Sequence, residues 1–549
     1  MTIGVNNSAV IEDGLRRSAH QGFVLASVFI LLLATSIRVY HISQRSLWLD
    51  EAIAANISRG TFTETLILTR SEHSAPIVDP LILFGVEKVA AGPLAVRTPS
   101  LVASVLAVFL MLCLVSLPSV DPKTAILSAL MLSMSAAQIR YAQEVREYSL
   151  SVLYATLLLY FFLSFTSNSK KRKSPTSLYL ALFAAPLVQY GLVLFSAGIL
   201  AALLILWCIH SRPQIKFSHI LKAGMFLSAG GLLSFVLTLR YQWGEAAWYL
   251  QDYYLGSDST LSHFVWSNTL HLVAFLLPGL MVAFIAATAI VVHLVMQVRA
   301  RTVSPLTILA FTSISTVLMC ALLHLYPYGP IRQCLFLAPV TCLLASASIV
   351  EVANRFTGRF RTLAIVLIAG VVVASGIRQI RSSKPYAEVE DIQKVLLGLQ
   401  NRFEPGDGVY VYSGAVSAVD FYVKPRDSRF IYGDYHRDKP ERYASEMLAG
   451  LRPQTKRIWI LFSHVYQDED KWILHDLSND WEEGRIVSAE GAALYLLQRH
   501  LALVQESSTD RNASHMDTSA GTAERTPVID RAADGFWDWN IRNSRAAGR

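Results

Sequence analysis

Charge is scarce in this chain. Asp, Glu, Lys and Arg make up 16% of its 549 residues, against about a quarter in average soluble domains. The mean hydropathy is +0.39. Together these exclude an ordinary soluble enzyme. Cysteine is scarce too. Cys113, Cys208, Cys320, Cys334 and Cys342 fall in or beside apolar runs, with no CxxC and no Cys/His cluster. A disulfide framework and a zinc module are therefore not expected. There is no Gly-rich phosphate loop, so nucleotide binding has no support. No internal repeat is evident.

What is present is long apolar runs. They lie at about 23–40, 98–117, 124–140, 149–166, 176–190, 192–210, 223–239, 269–296, 304–325, 333–352 and 362–377. A bilayer core needs ~20 apolar helical residues, so eleven spans are expected. Residues 77–91 are also apolar, but Asp79, Glu87 and Lys88 interrupt them. That stretch reads as a helix lying on the membrane surface. Charge supports this choice. Eleven spans place Lys123, Lys170, Lys171, Arg172, Lys173, Arg212, Lys216, Lys222, Arg299, Arg301, Arg355, Arg359 and Arg361 on the side of Arg16 and Arg17. Only Asp121 and Glu351 accompany them. The positive-inside rule makes that face cytoplasmic.

The organisation expected is a cytoplasmic disordered tail (1–21), a membrane domain (22–383), an external α/β domain (384–502) and a disordered tail (503–549). In the α/β domain, strands are expected at 409–412, 429–432, 457–462 and 485–488. Helices are expected at 387–403, 439–449 and 469–478. The external loop 240–268 carries Trp243, Trp248, Tyr249, Tyr253, Tyr254 and Trp266. Its ordinary reading is an interfacial belt, and its sharper one a stacking surface for sugar or lipid.

No apolar run has an interior Asp or Glu, and the acids crowd the external loops instead. Ion-coupled carriers place ionisable groups near the bilayer midplane. Their absence speaks against the alternative function, a transporter or polysaccharide export component with an external ligand-binding domain. In Ser46-Leu47-Trp48-Leu49-Asp50-Glu51, adjacent carboxylates sit beside apolar neighbours. Repulsion or desolvation there can raise one pKa towards that of a general base. In Tyr141-Ala142-Gln143-Glu144-Val145-Arg146-Glu147-Tyr148, Glu144 and Tyr148 share a helical face. The planar fork of Arg146 suits a phosphate. Both clusters also read, more blandly, as helix caps and rim charges.

These residues resemble a known family, the integral-membrane glycosyltransferases of the GT-C fold. The nearer resemblance is to protein O-mannosyltransferase-like and lipid A aminoarabinose transferase-like enzymes, which take sugar from a polyprenyl-phosphate carrier. Asp50-Glu51 resembles the family's Asp-Glu pair after the first span. Arg97-Thr98-Pro99-Ser100 resembles its R-x-P-S opening of the second, and residues 141–150 its second external loop. Arg332, seven residues before Pro339, resembles the arginine preceding a late span. Two positions depart from the pattern. His73 is followed by Ser74-Ala75-Pro76 where the family often has Pro-Pro-Leu, and Gln333 follows Arg332 where Tyr is frequent.

The resemblance implies a mainly α, polytopic membrane helix bundle of GT-C type. Surface helices would lie in the first external loop, and a small α/β external domain at the C-terminus. It also implies an inverting sugar transfer on the outer face of a bacterial inner membrane. Asp50 would be the general base and Glu51 its catalytic neighbour. Arg146 and Arg332 would bind the donor phosphate. Glu144, Tyr148, His73 and Arg97 would bind substrate. The partners would be the lipid-linked sugar, a glycan, lipid or protein acceptor, and membrane lipids, with no nucleic acid. No cofactor is expected to be required. Mg²⁺ or Mn²⁺ on the carboxylates remains an open option but not the favoured one.

Overall fold

The structure, a computed structural model, describes residues 5–71, 75–167, 174–209, 215–242, 248–256, 260–383, 390–423, 427–436, 439 and 441–500. The chain divides into two compact units. One comprises Met1–Ile42 and Ile57–Tyr386, the other Ser43–Asn56 and Ala387–Arg549.

The first unit is helical. Among the described residues nine helices are long and apolar enough to cross a membrane: His20–Val39, Pro93–Ser116, Tyr148–Thr166, Gly191–Cys208, Phe217–Gln242, Leu280–Arg299, Pro305–Leu322, Arg332–Ala353 and Gly358–Ser382. Two of the eleven expected spans are shorter. The run at 124–140 breaks at Ser135, whose extended ψ of 122° separates Pro122–Met134 from Ala136–Tyr141. The run at 176–190 gives the 14-residue helix Pro175–Val188. The long run 269–296 is also not one helix. Leu261–Leu276 ends before Pro278, and Gly279 (φ 89°) turns the chain into Leu280–Arg299. That positive φ is cheap for glycine alone. The interrupted stretch 77–91 becomes the 12-residue helix Val78–Val89. At 1.5 Å per residue it is about 18 Å long, too short to span.

Large apolar side chains such as Leu25, Phe284 and Phe360 are exposed on these helices. This is what lipid-facing surfaces present once packing has used the other faces. Where helices touch, small residues let the backbones approach. A Cβ on Gly230 would lie 1.8 Å from the carbonyl oxygen of Phe183.

One charge is buried inside the first span. Arg38 is fully buried and donates from Nε to Ser104 Oγ (2.8 Å) and from its terminal nitrogens to the carbonyls of Ala34, Leu132 and Ser133. The break at Ser135 explains this placement. The amide of Ala136, which would normally bond Leu132, donates to Gln379 Oε1 instead. The guanidinium covers carbonyls that the broken helix leaves open. Arg38→Leu should therefore cost several kcal/mol, about 1–3 for each buried carbonyl left unmet. The check is a thermal unfolding midpoint in detergent. An unchanged midpoint would refute this role.

The second unit holds one mixed sheet of five strands: β1 (Gly408–Val411), β2 (Phe430–Tyr432), β3 (Arg457–Ser463), β4 (Trp481–Ala489) and β5 (Ala492–Arg499). The order is β2-β1-β3-β5-β4. β1 pairs parallel with β2 and β3, while β5 runs antiparallel between β3 and β4. The helices are Ile392–Gln400, Ser413–Tyr422, Glu441–Gly450 and Glu469–Leu477. The sheet's inner strands are apolar on both faces, as parallel strands covered by helices must be. Val409, Ile458, Ile460 and Leu461 are all fully buried. Two elements were not expected from the sequence, helix Ser413–Tyr422 and strand β5. The expected helix 387–403 is the shorter Ile392–Gln400, its Asp391 cap accepting from the amide of Lys394. Residues 503–549 lie outside the described residues.

Candidate active site

In the first unit, residues 142–147 form a short, buried turn between helix Ala136–Tyr141 and span Tyr148–Thr166. The amide of Arg146 donates to the carbonyl of Glu144, and Ser149 Oγ donates to that of Tyr141. Glu144, Arg146, Glu147 and Tyr148 are all buried. Ser100, of the Arg97-Thr98-Pro99-Ser100 motif, donates from its hydroxyl to the Arg146 carbonyl (3.1 Å). Arg97, fully buried, donates to the carbonyl of Ile42 (2.8 Å). Gln143 donates to the carbonyls of Arg38 and Tyr40, each at 2.8 Å. The motif and the loop thus fix one another and the exit of the first span. This gives Arg97 a place in the scaffold.

The loop presents a ring with two cations over it. The guanidinium carbon of Arg146 lies 5.7 Å from the Tyr148 ring centroid, and that of Arg332 lies 5.5 Å from it. Both are within cation–π range. Tyr141 meets Tyr148 edge-on at 5.5 Å. Around them, Arg140 Nε pairs with Glu144 Oε1 at 3.0 Å, and Arg146 Nε with Glu147 Oε2 at 3.5 Å. Burial, then the charge of Glu144, pushes the Tyr141 hydroxyl up. Sequence reasoning paired Glu144 with Tyr148 on a helical face, but Glu144 stands in the turn before the helix begins.

Asp79 completes this group and was not singled out from the sequence. It is 4% exposed, and its Oδ2 has no hydrogen-bond partner among the described residues. Burial pushes its carboxyl up to about 7; the charge of Glu147 adds to this and that of Arg146 opposes it. The available signal was Asp79-Pro80 inside an apolar run, an acid with no reason to be there unless it is used. Arg140, Arg146 and Arg332 stand against Glu144 and Glu147, so these groups sum to 3 − 2 = +1 when Asp79 is protonated.

The titration of Asp79 has a measurable consequence. Its carboxyl is ordinarily at 3.8 and folding raises it to about 7. The folded state therefore binds the extra proton in that window. The stability this confers is complete below about pH 4 and lost as the pH climbs to about 7. Asp79→Asn should flatten that slope in thermal midpoints taken at pH 5 and pH 8. A slope identical to the parent's would show that Asp79 does not titrate there.

Asp50 and Glu51 belong to the second unit. They occupy the first turn of helix Leu49–Ile57, where negative charge suits the helix dipole. Asp50 is partly exposed and Glu51 is fully buried. The segment before the helix is held by the α/β domain. Leu47 N–H donates to the Tyr422 hydroxyl (2.8 Å), and Leu49 N–H to Glu390 Oε2 (3.1 Å). His73 lies outside the described residues. Among the described residues no group of three or more His, Cys, Asp or Glu is placed to hold a metal ion.

The fold is that of the GT-C glycosyltransferases. The similar solved structures include ArnT, a lipid A aminoarabinose transferase, from Cupriavidus metallidurans in the apo state, at TM-score 0.55 and 12% identity. That match covers 87% of this chain and 98% of ArnT. The same enzyme bound to undecaprenyl phosphate matches at TM-score 0.52 with the same identity and coverage. The oligosaccharyltransferase of Archaeoglobus fulgidus matches at TM-score 0.51 and 10% identity, over 80% of this chain and 69% of that one. At such identities the likeness establishes the fold. No family model and no curated protein sequence matches the chain.

Proposed function

We propose that the chain is an inverting glycosyltransferase. It moves a sugar from a polyprenyl-phosphate carrier to an acceptor hydroxyl at the outer face of a bacterial inner membrane. Its N-terminus would be cytoplasmic and its α/β domain periplasmic. The observation that carries this reading is the pair of guanidiniums, Arg146 and Arg332, over one buried tyrosine ring. With Arg140 these cations outnumber Glu144 and Glu147, and the net positive charge favours a further anion. A lipid phosphate leaving a sugar is such an anion, and guanidinium forks match its oxygens bidentately. Support for the carrier comes from ArnT, whose structure holds undecaprenyl phosphate on the same fold.

In this mechanism Asp50 takes the proton of the acceptor hydroxyl as its oxygen attacks the anomeric carbon. The bond to the phosphate breaks, and the phosphate leaves as an anion stabilised by Arg146 and Arg332. One displacement inverts the anomeric centre. Glu51 follows Asp50 on its helix, Glu144 stands in the same turn as Arg146, and Tyr148 opens the helix after that turn. The donor arrives activated, so no nucleotide is consumed.

The test is transfer by purified protein in proteoliposomes, using labelled polyprenyl-phosphate sugars and envelope glycans, lipids and proteins as acceptors. Transfer with inversion is expected from at least one donor, matching a sugar missing from the envelope of a strain lacking the protein. An unchanged envelope in that strain, together with no transfer from any donor, would overturn the proposal.

A further inference from the structure

We infer that the C-terminal α/β domain is a positioning device for the helix that carries Asp50, with Glu390 as its central clamp. The inference rests on the reading of Asp50 as the base.

The first amides of a helix have no partner within it. They must be met from outside, and whatever meets them sets where the helix begins. For Leu49–Ile57 the α/β domain does this. Glu390 is 3% exposed, and its Oε2 accepts from the amide of Leu49, one residue before Asp50. The carboxylate is itself fixed on its other sides. Its Oε1 lies 2.7 Å from His464 Nδ1, and Ser463 Oγ donates to Oε2 at 3.3 Å. Ser463 and His464 stand at the C-terminal end of β3, and Trp48 lies with its ring centroid 6.5 Å from that of His464.

Three further contacts hold the same segment. The Tyr422 hydroxyl accepts from the amide of Leu47. Ser46 Oγ donates to Asp391 Oδ1 (3.1 Å) and accepts from the amide of Gln393 (3.2 Å). At the other end of the helix, Asn56 Nδ2 donates to the Ser417 carbonyl (2.7 Å). The acidic helix is therefore gripped before its first turn and at its last. These partners, Glu390, Asp391, Gln393, Ser417 and Tyr422, all come from the α/β domain.

The sheet explains why the grip falls here. β1 is flanked by β2 on one side and β3 on the other, so the chain switches sides at β1. In open α/β sheets the crevice outside the carboxyl ends of such strands is where ligands bind. Here His464 and Ser413 lie at that end, Ser463 and His464 hold Glu390 there, and Glu390 in turn holds Leu49 of the Ser46–Leu49 segment. The domain treats a piece of its own chain as its ligand. Displacing a reacting group by about 1 Å can cost 10²-fold in rate, so the clamp acts on turnover rather than on donor binding.

The experiment measures transfer kinetics and hydrogen exchange of the 46–56 peptide in the full-length protein. Glu390→Ala should lower kcat by about 10- to 100-fold, leave the donor KM within about threefold, and speed exchange at Leu47 and Leu49. Glu390→Gln keeps an oxygen acceptor for Leu49 and should restore most of both. Asp50→Asn should lose transfer with exchange unchanged. Tyr422→Phe removes only a hydroxyl and should speed exchange at Leu47, so it decides the matter if Glu390→Ala fails to fold. Parental exchange in both Glu390→Ala and Tyr422→Phe would overturn the clamp, and so would parental kcat with exchange accelerated. Absence of transfer in the parent protein would instead refute the catalytic reading, while exchange would still report on the clamp.

Discussion

Asp50→Asn should lower transfer by about 10²- to 10⁴-fold, the range that a positioned general base supplies. The amide is nearly the same size and keeps an acceptor oxygen, so helix Leu49–Ile57 should still form and the clamp from Glu390 should hold. Donor affinity should stay within about twofold, because the phosphate is assigned to other residues. The loss should therefore appear in kcat. Transfer by the variant at the parental rate would remove Asp50 from the mechanism.

Replacing the two guanidiniums should give the second large effect. Arg332→Ala and Arg146→Ala are each expected to reduce kcat/KM by about 10²- to 10³-fold, as loss of a preorganised charge facing a developing anion does. Lysine should rescue only partly at either position. It restores the charge but not the planar fork that can hold two oxygens or lie over the Tyr148 ring. Arg146 is also held by its backbone through Ser100, so a fall in activity on Ser100→Ala would report the same site indirectly. Donor affinity and turnover equal to the parent's in Arg332→Ala would exclude a phosphate role for that residue.

Much of the membrane unit could be read from its apolar runs, because a bilayer imposes length and composition on every span. The breaks could not. Ser135 interrupts a run that is apolar on both sides of it, and what stabilises the break is Arg38, almost 100 residues away in sequence. Pro278-Gly279 did carry a local signal, overridden by the length of the run around it. In the α/β domain, strand β5 (Ala-Ala-Leu-Tyr-Leu-Leu-Gln-Arg) has no clear alternation, so periodicity could not declare it. Helix Ser413–Tyr422 begins Ser-Gly and contains two valines, a poor helix by propensity. It forms because Ala415, Ala418, Val419 and Phe421 are buried.

The candidate residues were legible to different degrees. Arg146 is legible from its short acidic and aromatic loop and Arg332 only through the family resemblance, and the structure sets both over Tyr148. Arg97 was chosen for its motif, yet its guanidinium is occupied in holding the Ile42 carbonyl. Asp79 is hard to tell in the sequence from an acid such as Glu64, because what distinguishes the two is burial. Least legible was the bond between the acidic helix and the C-terminal domain. Hydrogen bonds such as Leu49 to Glu390 join residues 341 apart, and no local pattern encodes them.

The most direct measurement is a structure of the protein with a polyprenyl phosphate bound. Phosphate oxygens are expected within about 2.7–2.9 Å of the guanidinium nitrogens of both Arg146 and Arg332, the distance of charge-assisted bonds. A phosphate seated elsewhere, with those two side chains still on Tyr148 and no phosphate oxygen beside them, would contradict this.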